Sequence, residues 1–105
     1  MFGQGCPKCH IDYSDPEYKH FTYKITNTIN NKIYIGIHST KNVNDGYMGS
    51  GSLLKEAQYQ QGIKSFQKEI LSFYKSRDDL RNAERIIVNQ EFINRSDTYN
   101  VQLGG

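Results

Sequence analysis

Two short runs of alternating residues organise this chain. In HFTYKITN, Phe21, Tyr23 and Ile25 alternate with Thr22, Lys24 and Thr26. In KIYIGIH, Ile33, Ile35 and Ile37 alternate with Lys32, Tyr34, Gly36 and His38. Period two in β-branched and aromatic residues predicts two strands. Thr28-Ile29-Asn30-Asn31 lies between them, and asparagine tolerates the positive φ of tight turns, so residues 20–38 read as a hairpin. The isoleucine face of the second strand belongs to a core. Its other face carries a cation, a phenol, a gap and an imidazole. Glycine weakens a strand, so Gly36 marks a place where something approaches closely. Alternation leaves Tyr23 unoriented, because it falls in step with Phe21 and Ile25 on what reads as the apolar side.

Beyond the hairpin, STKNVNDGYMGSG (39–51) reads as a loop with three glycines. It is either a plain mobile loop or a backbone cradle for phosphate at the next helix. That helix is predicted from Ser52, as N-cap, to Gly62 at C′. FQKEILSFY (66–74) predicts a third strand, buried around Ile70, Leu71 and Phe73. Ser76 then caps a second helix running to about Asn94, with Asp78 and Asp79 in its first turn, where the helix dipole favours acids. The order β-β-α-β-α predicts an α+β domain: a small antiparallel three-stranded sheet flanked by helices.

The chain has 105 residues, enough for one core, and 36 % of them are hydrophobic, too many for a disordered chain. No apolar run approaches the roughly 20 residues of a membrane span, and no charged-then-apolar leader is visible. The composition predicts a soluble, intracellular protein. A net charge of +2 does not by itself establish a nucleic-acid partner.

Residues 1–19 differ from the rest: both prolines and both cysteines fall there. They read as an irregular N-terminal segment. Cys6-Pro-Lys-Cys9 followed by His10 resembles half a zinc knuckle. A structural zinc wants four ligands, so His10, His20 or another chain would have to complete the set. A redox pair or a surface thiol pair without a role are the alternatives.

One acid stands out. With about 100° per residue, Leu80, Ala83, Ile87 and Val88 form the apolar arc of the second helix, and Glu84 falls inside it. A carboxylate there is paired, reaches water through a cleft, or binds a metal. Glu91 shares the arc two turns later. Arg77, Arg81 and Arg85 follow at four-residue spacing, as a solvated face or as a strip that meets phosphate.

These features together resemble the GIY-YIG endonucleases. Ten residues separate Tyr23 from Tyr34, Tyr34-Ile35-Gly36 is the second motif of the family, and Tyr23-Lys24 stands where the first motif ends. GSLLKEAQYQQGIKSFQKEIL, AERIIVNQEF and the closing Tyr99-Asn100 follow in family order. The match covers about residues 20–105, and the ordered set is far more specific than the YIG tripeptide alone. It looks most like the short members encoded by bacteriophages, which include homing endonucleases.

The resemblance implies a phosphodiester hydrolase acting on double-stranded DNA in the cytoplasm of a bacterial host. It implies one divalent metal, Mg2+ or Mn2+, held mainly by Glu84, with a phenol and a bound water starting the attack. Tyr23 and Tyr34 match the motif tyrosines. Lys32 matches a lysine often found before YIG, and Asn100 the late asparagine that supports the site or contacts phosphate. Phenols lose their proton near pH 10 unless cations lower that value, and Lys32 and His38 are the candidates for this. The arginine that the family usually carries after YIG has no match in residues 37–50. His38, Lys41 and Lys55 are the candidates to replace its charge, with His38 favoured by strand alternation. Arg81 adds to the DNA-binding set. No extended DNA-binding region is evident, so specificity would come from the module, a homodimer or a partner protein. The rival readings are a nucleic-acid-binding module with impaired catalysis and a regulatory interaction protein.

Overall fold

The structure is a computed structural model that describes residues 16–100. The cysteine pair and His10 lie outside the described residues. Strand β1 (Lys19–Asn27) and strand β2 (Ile33–Thr40) pair antiparallel as the predicted hairpin. The turn works as its asparagines foretold. Asn31 takes a positive φ of 63°, and the Asn27 side chain accepts the Ile29 N–H at 2.9 Å.

Helix α1 (Ser52–Gln61) follows the glycine loop. Its N-cap is Gly51 rather than Ser52, and no side chain caps it. Strand β3 (Phe66–Tyr74) returns on the other side of β1, giving the sheet order β2-β1-β3. Helix α2 (Arg77–Ile87) opens on Ser76, whose side chain accepts the Asp79 N–H. It stops at Val88, short of the predicted Asn94. Asn89 then caps a separate turn, α3 (Gln90–Ile93), by accepting the Phe92 N–H. An asparagine that caps from the non-helical region cannot also continue a helix, and this ends the single helix expected from periodicity.

The sheet is covered on both faces. One face packs Phe21, Tyr23 and Ile25 against Leu54, Ala57, Phe66 and Tyr99; the other joins Ile35 to Val88 and Phe92. Strand β3 departs from expectation. Ile70, Leu71 and Phe73 are 37, 39 and 58 % exposed, because β3 is an edge strand with a bulge. Thr22 faces Ser72 but Tyr23 faces Ile70, which leaves Leu71 without a partner. Among the described residues, no helix is long and apolar enough to cross a membrane.

Candidate active site

Register decides what alternation left open. Phe21 pairs with His38, Tyr23 with Gly36 and Ile25 with Tyr34. Directly opposed residues of an antiparallel pair share a face. The "polar" face of β2 and the apolar face of β1 are therefore one surface, and both motif tyrosines stand on it. Their rings lie 6.2 Å apart at 36°.

The glycines explain themselves here. A Cβ on Gly36 would run into Tyr23 Oη, with Tyr23 Cζ at 2.7 Å and Tyr34 Cε2 at 3.0 Å. A Cβ on Gly51 would press on the Tyr34 ring at 2.6 Å. Gly49, at φ 98°, lets the loop turn past Leu54. Gly36 and Gly51 thus make the space that the two phenols occupy.

Tyr23 is fully buried. Its hydroxyl has no hydrogen bond of good geometry among the described residues, although the phenols of Tyr34 and Tyr47 surround it. Burial pushes its ionisation far above the usual phenol range, and Tyr47, Tyr34 and Glu84 push the same way. Tyr34 is also raised, first by burial, with hydrogen bonding to Ser50 acting in the opposite direction and the charges of Tyr47 and Glu84 adding to the rise. The phenols are therefore held neutral. The Glu84 carboxylate, from half-buried α2, acts through its charge on both. The helical wheel had singled it out; the fold brings it to the tyrosines.

His38 is held on three sides. Its Nε2 donates to Asp45 Oδ2 at 2.9 Å, its ring stacks on Tyr47 at 3.8 Å and 7°, and Phe21 meets it edge-on at 5.6 Å. Asp45 also accepts the Tyr47 N–H at 3.0 Å. The His38 hydrogen bond, with that from the Tyr47 backbone, lowers the Asp45 carboxyl to about 2.

Other candidates are placed elsewhere. The Lys32 ammonium lies over the Tyr99 ring, 5.7 Å from its centre, in a cleft of about 250 Å³ that Glu56 and Gln60 also line. Asn100 is buried, and both ends of its amide serve Ile35: Oδ1 accepts the Ile35 N–H at 2.9 Å and Nδ2 donates to the Ile35 carbonyl at 2.7 Å. Lys41 sits over the Tyr18 ring at 5.4 Å. Lys55 and Arg81 are exposed on α1 and α2. Arg77 donates to Ser39 Oγ, and Arg85 to Asn82. Glu91 is exposed at the start of α3.

Sequence reasoning missed Lys68, Tyr47 and Asp45. The Lys68 ammonium stands 5.3, 5.8 and 5.9 Å from the ring centres of Phe21, Tyr23 and Tyr47, and donates to the Tyr47 carbonyl at 2.8 Å. Burial lowers its ionisation, partly offset by the charge of Asp45. The signals were present: Lys68 falls in step with Phe66 and Ile70 on one strand face, and Asp45-Gly46 is a turn pair.

Comparison with known proteins identifies the family of the chain. Residues 19–100 match the GIY-YIG catalytic domain. The chain is 59 % identical over 86 residues to segB of Enterobacteria phage T4, a candidate endonuclease, covering 82 % of this chain and 39 % of that protein. It is 52 % identical over 85 residues to endonuclease segA of the same phage, covering 81 % and 38 %. The chain thus spans about two fifths of the length of these relatives. No solved structure matches it. The tyrosine pair over Gly36, the glutamate of α2 and the domain match lead to one conclusion: this chain belongs to the GIY-YIG family.

Proposed function

We propose that this chain is a metal-dependent DNA endonuclease that hydrolyses phosphodiester bonds on the surface built by Tyr23, Tyr34, His38 and Glu84. The observation that carries the reading is that the charge of Glu84, on α2, reaches both motif phenols of the hairpin. The acid of α2 is thereby coupled to the hairpin that carries both tyrosines.

GIY-YIG nucleases as a group use divalent metals. Among the described residues, no three His, Cys, Asp or Glu side chains cluster as a metal centre. A lone carboxylate fits an ion such as Mg2+, which keeps most of its own water, and Glu84 would be that ligand. The ion, when bound, supplies positive charge to the phosphate and the leaving oxygen. The two phenols, kept neutral, present O–H donors to a phosphate oxygen or a bound water. Lys68 adds a cation close to Tyr23 and Tyr47. Exposed Lys41, Lys55 and Arg81 meet the DNA backbone. The substrate we propose is double-stranded DNA in the cytoplasm of a bacterial host, with a second copy or a partner protein supplying target choice.

The test is a plasmid-nicking assay with Mg2+ or Mn2+. Wild type nicks, while Glu84→Ala and Tyr34→Phe fall by at least about 100-fold, in keeping with the loss of charge stabilisation at a reacting phosphate. If wild type cuts no better than these variants, the hydrolase reading fails. Salt-dependent DNA binding without cutting would then favour a binding module.

A further inference from the structure

We infer that residues 41–51 form a lid over Tyr23, which rests closed in this structure and lifts when DNA binds, so that the motif phenol meets phosphate only when substrate is there. The inference rests on the nuclease reading above and adds how DNA reaches the phenol.

Burial and task conflict at Tyr23. The nuclease reading needs its hydroxyl at a phosphate oxygen or a bound water, yet Tyr23 is 0 % exposed and its Oη is sealed from solvent. Four described groups enclose that oxygen. Gly36 lies beneath it and the Tyr34 ring beside it, both on β2. The Tyr47 ring meets Tyr23 edge-on at 5.8 Å, and a Cβ on Gly49 would stand 3.7 Å from Oη. The first two sit on a strand held by its ladder to β1. The last two belong to the loop.

The loop can move as a piece. Its own turns keep its shape: Thr40 Oγ1, Asn42 Oδ1 and Asp45 Oδ1 accept the N–H of Asn42, Asn44 and Tyr47. Among the described residues, no backbone–backbone hydrogen bond ties residues 42–50 to another element. Side chains clamp the loop instead. Gln58 of α1 donates to the Met48 carbonyl at 2.9 Å, Lys68 of β3 to the Tyr47 carbonyl at 2.8 Å, and His38 of β2 to Asp45. Val43, Tyr47 and Met48 rest half-buried on the core below. A segment held by a few side-chain bonds opens at lower cost than a strand in a ladder.

A phosphate that touches Tyr23 Oη binds the open form and not the closed one, so DNA draws the population open. Apparent affinity is scaled by the open fraction. Loosening a clamp therefore speeds nicking at low DNA, which is opposite in sign to the loss of a structural or catalytic contact.

The experiment loosens the clamp from Gln58, which lies outside the reacting surface. Gln58→Ala and Gln58→Met both remove the donor, and the second keeps the length of the side chain. N-acetylimidazole, which acetylates accessible phenols, is applied to the full chain without DNA, and each tyrosine is read by peptide mass spectrometry. In wild type, Tyr23 is expected to react at least about tenfold more slowly than Tyr59, which is 91 % exposed. In both variants Tyr23 speeds up by about three- to tenfold, the weight of one hydrogen bond. Tyr99, whose buried hydroxyl accepts from Asn27 Nδ2 away from the loop, does not change. Nicking of plasmid with Mg2+ at sub-saturating DNA rises by the same factor as Tyr23 labelling. Tyr23 and Tyr99 that speed up together mark global loosening and overturn the lid. Variants that nick no faster than a nicking wild type also overturn it, and spare the nuclease reading. Wild type that does not nick overturns both.

Discussion

Tyr23 lies across Gly36. The two are register partners on neighbouring strands, and the phenol ring takes the volume that a side chain at 36 would fill. The YIG glycine is thus a seat for the tyrosine of the other strand. Gly36→Ala places a methyl against Tyr23 Oη and Tyr34 Cε2. Overpacking of a well-filled core costs about 1–3 kcal/mol. We expect a urea midpoint lowered to match, with nicking lost even where the protein still folds. A variant of unchanged midpoint and rate would show that the ring can move aside.

Asn100 holds the backbone of Ile35 by both amide ends, between Tyr34 and Gly36. Asn100→Ala strands a buried N–H and a buried carbonyl, at about 1–3 kcal/mol for an unsatisfied group. A scaffold role predicts that thermal stability and rate fall together. A rate that falls at constant Tm would instead mark a direct phosphate contact.

The Asp45 carboxyl is lowered from 3.8 to about 2 by its hydrogen bonds to His38 and the Tyr47 backbone. A folded value below the unfolded one gives stability that is complete above the unfolded value and is lost as pH falls through the folded one. Near-UV CD of the Tyr47 region should therefore hold down to about pH 4 and decay toward pH 2. Asp45→Asn, which has no such titration, removes that component of the decay. An identical acid transition in the variant would place the effect elsewhere.

Strand β3 has one anchored end and one open end. Phe66 is 5 % exposed, whereas Phe73 is 58 % exposed and touches Phe21 edge-on at 5.7 Å. Truncating a buried phenylalanine costs about 3–5 kcal/mol. We expect Phe66→Ala to cost about that much and Phe73→Ala well under half of it, measured by urea unfolding. Equal costs would mean that the open end of β3 is covered in solution.

The sequence by itself determined the elements. Period two marked the hairpin, asparagines its turn, Ser76 the start of α2, and a wheel found Glu84, because these depend on local geometry that a short window contains. It also determined the family, through Tyr34-Ile35-Gly36 and its spacing from Tyr23. Tertiary structure decided which faces are shared. Strand pairing put Tyr23 beside Tyr34, although each strand alone made one apolar and the other polar. It also left β3 at an edge, where apolar residues stay wet, and spent Lys32 on Tyr99 and Asn100 on Ile35. Lys68 joined the site through the pairing of β3 with β1, and Tyr47 and Asp45 through the closing of the 41–51 loop onto the sheet. Register and loop closure depend on contacts between residues far apart in the chain, and a reading of local periodicity cannot contain them.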